Sequence, residues 1–163
     1  MSDAKPVTTV AYAERWSDLK REMVWPLAEK DARVRHDRGE LYTALVCDSG
    51  RPQAYLDVRL EAGFVGVHFL DEELRNHLTY MFTRPEGEGD LFLETVSRRV
   101  YDDAGDLIHD EYYIFKPPDR AHVKKRDYGT KTAETYDLKT DLSDNHEPVP
   151  DFGEYESIAR AER

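Results

Sequence analysis

The sequence predicts an α+β fold in which one or two N-terminal helices pack on a strongly bent antiparallel sheet of about six or seven strands. Three observations predict this fold. Apolar residues recur at helical spacing before residue 39, they alternate with a period of two after it, and turn segments rich in Gly, Asp and Pro separate the alternating runs. Sequential connections make the sheet a meander, and a sheet of this size can close into a partial barrel.

The N-terminal part of the chain is predicted to be helical over residues 11–38, after a flexible leader at residues 1–10. The apolar residues at helical spacing are Tyr12, Trp16, Leu19 and Met23. Pro26 cannot donate the hydrogen bond of an interior helical position. We therefore expect Pro26 to kink this helix or to lie in the first turn of a second, shorter helix, Leu27 to Val34, followed by a polar connection that ends at Gly39.

Residues 40–128 are predicted to form the sheet. The expected strands are residues 41–47, 53–60, 64–70, 78–83, 91–101, 107–115 and 121–128. Within the second of these, Ala54, Leu56 and Val58 face one side, and Tyr55 and Asp57 face the other. The side with the apolar residues is expected to lie against the core.

Residues 129–163 are predicted to be a mostly irregular, acidic tail. Apolar alternation fades after Gly129, and nine acidic residues face four basic ones between residues 131 and 163. Val149, Phe152, Tyr155 and Ile158 are apolar enough that we expect the tail to dock partly along the sheet. The chain length of 163 residues fits one domain.

The charge balance restricts the classes of partner. The chain carries 34 acidic and 23 basic side chains, a net charge of -11, which disfavours binding to nucleic acid or anionic lipid. The same charge favours encounter with a basic protein. Neither a signal peptide nor a run of about 18 apolar residues is present, and the lone Cys47 cannot form an internal disulfide, so we expect a cytoplasmic protein.

Motifs of catalysis and cofactor binding are missing from the sequence. The six histidines form no metal-binding pattern, no G-x-S-x-G elbow is present, and Gly87 and Gly89 lie in an acidic loop that would repel phosphate. We therefore expect no metal and no cofactor.

The leading hypothesis is a non-enzymatic, acidic interaction protein, such as an immunity or antitoxin-type inhibitor that binds a more basic protein. Tyrosines supply contact area and carboxylates steer a basic partner. The residues expected to bind the partner lie on one predicted hairpin: Tyr101, Asp102, Asp103, Asp106, Asp110, Glu111 and Tyr112.

The alternative is a β-cup or barrel that binds an apolar small molecule, as a carrier or as a cyclase or isomerase. His68 is expected on the face opposite Val65 and Val67, where Asp57 and Tyr55 of the neighbouring strand provide a carboxylate and a phenol for acid–base chemistry. The two hypotheses differ in what the large apolar residues do. They fill the interior in the first and line a cavity of roughly 300 Å³ or more in the second. These residues are Phe64, Phe69, Tyr80, Phe82 and Phe92.

Overall fold

The computed structural model describes residues 5–163, which form eleven antiparallel strands and one short helix. The strands are β1 (Thr8–Ser17), β2 (Glu22–Leu27), β3 (Tyr42–Asp48), β4 (Arg51–Arg59), β5 (Phe64–Leu70), β6 (Asn76–Thr83), β7 (Leu91–Tyr101), β8 (Leu107–Lys116), β9 (Arg120–Asp127), β10 (Thr132–Lys139) and β11 (His146–Glu147). The helix α1 (Glu29–Arg38) connects β2 to β3.

The strands from β3 to β10 form the meander that the sequence predicts, because each pairs with the next along the chain. The order across the sheet is β10-β9-β8-β7-β6-β5-β4-β3-β1-β2, and β11 pairs with the start of β7. Among the described residues, the end strands β2 and β10 are not paired with each other. Hydrogen bonds therefore do not close this sheet into a barrel.

The α+β prediction is wrong, because residues 11–27 form strand β1, a turn and strand β2, and the chain is mainly β-structure. Tyr12 and Trp16 are four residues apart, a spacing that fits a strand period of two as well as a helical turn. Leu19 does not continue the stripe, since it lies in the β1–β2 turn with 92% of its surface exposed. The leader is also shorter than predicted: β1 begins at Thr8, and residues 1–4 lie outside the described residues.

The strand count is corrected from six or seven to eleven. The antiparallel pairing itself is confirmed. Strands β5 and β7 begin and end at the predicted residues. Strand β10 lies in the stretch predicted to be irregular, and it shows little apolar alternation because most of its residues are exposed on this edge of the sheet.

The main core lies on one face of the sheet, and the C-terminal tail covers it. Leu56, Val67 and Tyr80 occupy successive cross-strand positions in this core. Tyr155 and Ile158 of the tail pack into the same cluster, so the expected docking of the tail is observed. The aromatic residues discussed above mostly fill the core: Phe69, Tyr80, Phe82 and Phe92 are buried, and Phe64 is half-buried.

A buried carboxylate forms hydrogen bonds with three side chains of the C-terminal tail. Glu147, which is 2% exposed, accepts hydrogen bonds from Ser157 Oγ at 2.5 Å, Arg160 Nη1 at 3.1 Å and Arg163 Nη1 at 3.0 Å. Burial alone would raise the pKa of Glu147, but the hydrogen bonds from Ser157 and Arg163 and the two positive charges hold it below its ordinary value. The folded chain therefore keeps this carboxylate ionised.

Candidate ligand site on the polar face of the sheet

The face opposite the main core, called the polar face below, carries aligned rows of polar side chains. Strand register places Tyr55, His68, Thr79 and Ser97 side by side on β4 to β7. Tyr112 and Lys124 continue the row on β8 and β9. Tyr55, His68 and Thr79 are buried, although they lie on the side of the sheet that the tail does not cover.

The β1–β2 hairpin bends over one end of the polar face. Trp16 stacks on Tyr55 with ring centroids 5.3 Å apart, and Tyr55 stacks on His68 at 4.3 Å. Arg21 Nη1 in the hairpin turn donates to the carbonyl oxygen of Glu73, between β5 and β6, at 3.0 Å. The hairpin therefore shields Tyr55 and His68 at this end.

The hydroxyl group of Tyr55 is protonated and acts as a hydrogen-bond donor. Burial raises the pKa of Tyr55, and the nearby negative charges of Asp18 and Asp57 raise it further. The protonated hydroxyl donates to Asp18 Oδ1 at 3.3 Å.

A hydrogen-bond network surrounds Nδ1 of His68, which is 9% exposed. The amide nitrogen of Asn76 lies 3.0 Å from Nδ1 and Thr79 Oγ1 lies 3.3 Å from it, while Thr79 Oγ1 donates to Asn76 Oδ1 at 3.0 Å. With Asn76 in this orientation its amide donates to Nδ1, and Nε2 is the ring nitrogen that carries a hydrogen.

The Nε2 hydrogen of His68 is left without a well-formed bond. Asp57 Oδ2 lies 3.3 Å from Nε2, but the alignment is too poor for a hydrogen bond, and Nε2 has no other partner within residues 5–163. Asp57 Oδ1 accepts instead from Thr43 Oγ1 at 2.7 Å. A buried donor of this kind is rare and calls for a physical explanation.

Gly66 makes room beside this pair. A Cβ at residue 66 would lie 3.1 Å from His68 Nε2 and 3.2 Å from Met81 Sδ, closer than ordinary contact. The glycine therefore lets the His68 and Met81 side chains converge over β5.

Two cavities open on the polar face and join. The inner one has a volume of about 240 Å³ and includes Tyr55, His68 and Thr79 in its lining. The outer one has a volume of about 500 Å³ and includes Lys124 and Arg126. Both are lined by the same three residues at their boundary: Ser97, Arg99 and Tyr112. Together they form one groove from β4 to β9, called the polar groove below.

The structure brings together the three residues of the small-molecule hypothesis. Tyr55, Asp57 and His68 are mutual neighbours on β4 and β5, with the distances given above. Their participation in a reaction stays a prediction.

The seven hairpin residues of the protein-binding hypothesis are not brought together on one surface. Asp110 and Tyr112 lie on the polar face, whereas Glu111 between them points to the other side. Tyr101 Oη donates to the carbonyl oxygen of Asn76 at 2.9 Å. Asp102 Oδ1 accepts from the backbone N–H of Asp106 at 2.9 Å.

Two of the hairpin carboxylates are neutralised within the fold. Asp110 is 7% exposed and accepts from Arg126 Nε at 2.8 Å and from Arg126 Nη2 at 2.5 Å, and Tyr128 Oη adds a third bond at 2.9 Å. The bonds from Arg126 lower the pKa of Asp110 despite its burial. Glu111 lies 3.6 Å from Lys125 Nζ and accepts from Tyr113 Oη at 3.2 Å. Neither carboxylate is free to steer a partner.

Several residues of the polar groove were missed by sequence reasoning. Thr79 lies between the core residues Leu78 and Tyr80, and Ser97 and Arg99 follow Thr95 at steps of two on β7, so their side of the sheet could have been inferred once the register was known. Asp18 and Asn76 lie at turns and strand ends, where no local pattern points to the groove.

A larger cavity lies elsewhere and lacks such a network. It has a volume of about 880 Å³ between β1, β3 and the tail, and Asp48, Glu154 and Glu156 are part of its lining. Cys47 also lines it and is half-buried, and burial raises the pKa of its thiol. No buried unpaired polar side-chain atom belongs to the described residues that line this cavity.

Metal binding has no support in the described residues, since no three His, Cys, Asp or Glu side chains from residue 5 onward are grouped to hold an ion. The same part of the chain contains no helix of the length and hydrophobicity that a membrane span needs. Comparisons with protein-family models, curated proteins and solved structures give no match to this chain. The geometry of the polar groove therefore carries the functional argument.

Proposed function

We propose that this chain binds a small polar molecule in the polar groove and acts as a binding protein. The observation that carries the proposal is the buried Nε2 donor of His68, which lines a cavity and has no aligned partner within residues 5–163. A ligand oxygen would satisfy this donor, whose burial otherwise costs about 1–3 kcal/mol. A buried unpaired donor requires a physical explanation, and a ligand in the adjoining cavity provides one.

The lining favours a polar ligand over the apolar one expected from the sequence. Thr79, Ser97 and Asn76 present hydroxyl and amide groups to the inner cavity beside the rings of Tyr55 and Tyr112. The aromatic residues of the main core, such as Tyr80 and Phe82, pack on the other face. Polar groups placed in this way fix the orientation of a ligand through hydrogen bonds.

Binding is favoured over catalysis by the state of His68. A general base needs an available lone pair near the substrate. His68 Nδ1 uses its lone pair to accept from Asn76, and its other nitrogen is a donor. The proposal therefore assigns His68 to ligand binding, with Tyr55 as the ring against which it stacks.

The test combines native mass spectrometry with a variant that fills the groove. Chain purified from its native cells should carry a small molecule, and Ser97→Trp should abolish its recovery because the indole occupies the boundary of the two cavities. Glu94→Trp is the matched control, since Glu94 is exposed on the same strand and outside the groove. Both variants are checked for folding by urea denaturation. Recovery of the same molecule from Ser97→Trp would refute binding in the polar groove.

A second proposal keeps the interaction with a basic protein, as an immunity or antitoxin-type inhibitor would bind. Asp103 and Asp106, exposed at the β7–β8 turn, favour it, together with the net charge of -11. A basic protein captured at low salt and released at high salt should associate more slowly with the Asp103→Lys/Asp106→Lys variant. Asp141→Lys/Asp144→Lys, at two exposed acids of the tail, is the control with the same change in net charge. Equal association rates for the two variants would exclude the hairpin as the steering surface.

A further inference from the structure

We propose that the ligand of the polar groove is a small organic acid whose carboxylate or phosphate group is bound by Arg99 and Lys124. This inference rests on the proposed small-molecule function and adds the chemical class and the orientation of the ligand.

The outer cavity has more positive than negative side chains in its lining. The side chains that line it include three cations and one carboxylate: Arg99, Lys124, Arg126 and Asp110. The carboxylate of Asp110 is already bound by Arg126 and Tyr128, and that of Glu111 points to the other face, where Lys125 and Tyr113 bind it. The positive charge of the outer cavity is therefore in excess, although the whole chain has a net charge of -11.

The two remaining cations, Arg99 and Lys124, have no bonded partner among the described residues. Within residues 5–163, neither Arg99 nor Lys124 makes an ion pair or a side-chain hydrogen bond. Arg99 is half-buried, so its guanidinium has lost part of its hydration without gaining a partner. Its cross-strand neighbour Asp110 is occupied by Arg126.

The positions of Arg99 and Lys124 on the sheet allow both side chains to reach one acidic group. Arg99 lies on β7 and Lys124 on β9, two strand spacings or about 10 Å apart across the sheet. Lys124 shares its row with Tyr112 and Ser97, and Arg99 lies in the next row on the same face. Their long side chains can approach one acidic group from two sides. The planar guanidinium of arginine matches a carboxylate or phosphate in two parallel hydrogen bonds.

The charges at the two ends of the groove determine the orientation of the ligand. The inner end of the groove holds the carboxylate of Asp18, which repels a second negative charge. The acidic group therefore lies at Arg99 and Lys124, and the uncharged part of the ligand extends over Ser97 and Thr79 toward His68. The ring of Tyr112, 40% exposed, provides an apolar surface beside it.

Benzoate and benzamide are the probes that test this inference, since they have nearly the same shape and differ in charge. In ¹H–¹⁵N NMR titrations of the full chain, benzoate should shift the amide signals of Ser97, Arg99, Tyr112 and Lys124. Benzamide should bind about tenfold more weakly, the difference that one charged hydrogen bond provides. Raising the salt concentration should weaken the binding of benzoate and leave that of benzamide unchanged.

Substitutions at adjacent residues give the matched control. Arg99→Gln should weaken benzoate binding about tenfold, whereas Arg98→Gln, at an exposed residue on the other face, should leave it unchanged. Equal affinities of the two probes, absence of benzoate binding, or shifts confined to another part of the chain would overturn the inference.

The two proposals fail in distinguishable ways. A neutral natural ligand that is lost in Ser97→Trp would leave the binding function intact and remove only the anionic class. A chain that binds neither probe and yields no natural ligand from its native cells would refute both.

Discussion

At the scale of single residues, four buried or half-buried ionisable side chains fall into two classes. Glu147 and Asp110 are buried with cationic partners, so their charges are compensated within the fold. His68 and Arg99 have no such compensation: one retains an unaligned donor and the other an unpaired charge among the described residues. The compensated carboxylates stabilise the structure, and the two uncompensated side chains line the polar groove.

Glu147→Gln tests the first class. Glutamine preserves the shape of the side chain but leaves Arg163, with 8% of its side chain exposed, without a negative partner. We expect the free energy of unfolding at pH 7 to fall by about 3 kcal/mol, measured by urea denaturation, because a buried charge loses its counter-charge. Glu156→Gln, at an exposed residue of the same tail, should change it by less than about 0.5 kcal/mol.

The pH dependence of this difference follows from the lowered pKa of Glu147. The contribution of the carboxylate is fully present above its unfolded pKa, near 4.5, and is lost as the pH falls through the lower folded pKa. The stability gap between wild type and Glu147→Gln should therefore narrow below about pH 4.5. A gap that stays constant into acid would contradict the assigned ionisation.

At the scale of elements, the sequence predicted best those strands whose two faces differ in polarity. In β5, Val65, Val67 and Phe69 alternate with polar or small residues, and the bounds were correct. In β1 the apolar spacing was ambiguous between a helix and a strand. The turn to β2 also lacks the glycine that usually marks a turn in a sequence, because Arg21 adopts the left-handed conformation there, with a φ of 54°.

The same reasoning explains how much of the polar groove was predictable. Alternation placed Tyr55, Asp57 and His68 on one face, and β4–β5 register brought them together. Arg99 and Ser97 depend on pairing between strands that are distant in sequence from β4. The register of those pairs includes a bulge between Met81 and Phe82, which no local pattern shows.

The end of α1 provides a prediction at this scale. Gly39 terminates the helix with a φ of 72°, and its carbonyl oxygen accepts from the N–H of Glu61 at 3.0 Å. A Cβ at residue 39 would lie 2.7 Å from the Glu61 nitrogen, so the two backbones would have to separate. Gly39→Ala should therefore lower the free energy of unfolding by about 2–4 kcal/mol, from left-handed strain plus overpacking.

Gly50→Ala separates these two causes. Gly50 has a φ of 81°, but a Cβ there would have no neighbour within 4 Å. We expect a loss of about 1 kcal/mol from strain alone, measured in the same denaturation experiment. Equal losses in both variants would show that the close approach of Gly39 to Glu61 has no energetic weight.

At the scale of the whole molecule, the two faces of one sheet have different covers. The tail buries the apolar core on one face, while the β1–β2 hairpin shields one end of the polar face, which is open along the groove. Binding on the polar face therefore does not require the main core to open. The groove is also a cationic region on an acidic molecule, so an anionic ligand must approach against the overall charge.

That overall charge predicts how salt changes stability. At pH 7 the net charge of -11 destabilises the compact state by self-repulsion, which dissolved ions screen. Raising sodium chloride from about 0.01 M to about 0.15 M, which shortens the screening length from about 30 Å to about 8 Å, should raise the Tm by a few degrees. At pH 5, near the isoelectric point of about 5.0, the increase should be much smaller. A Tm at pH 7 that falls with salt would mean that surface ion pairs such as Arg59–Glu61 outweigh the repulsion.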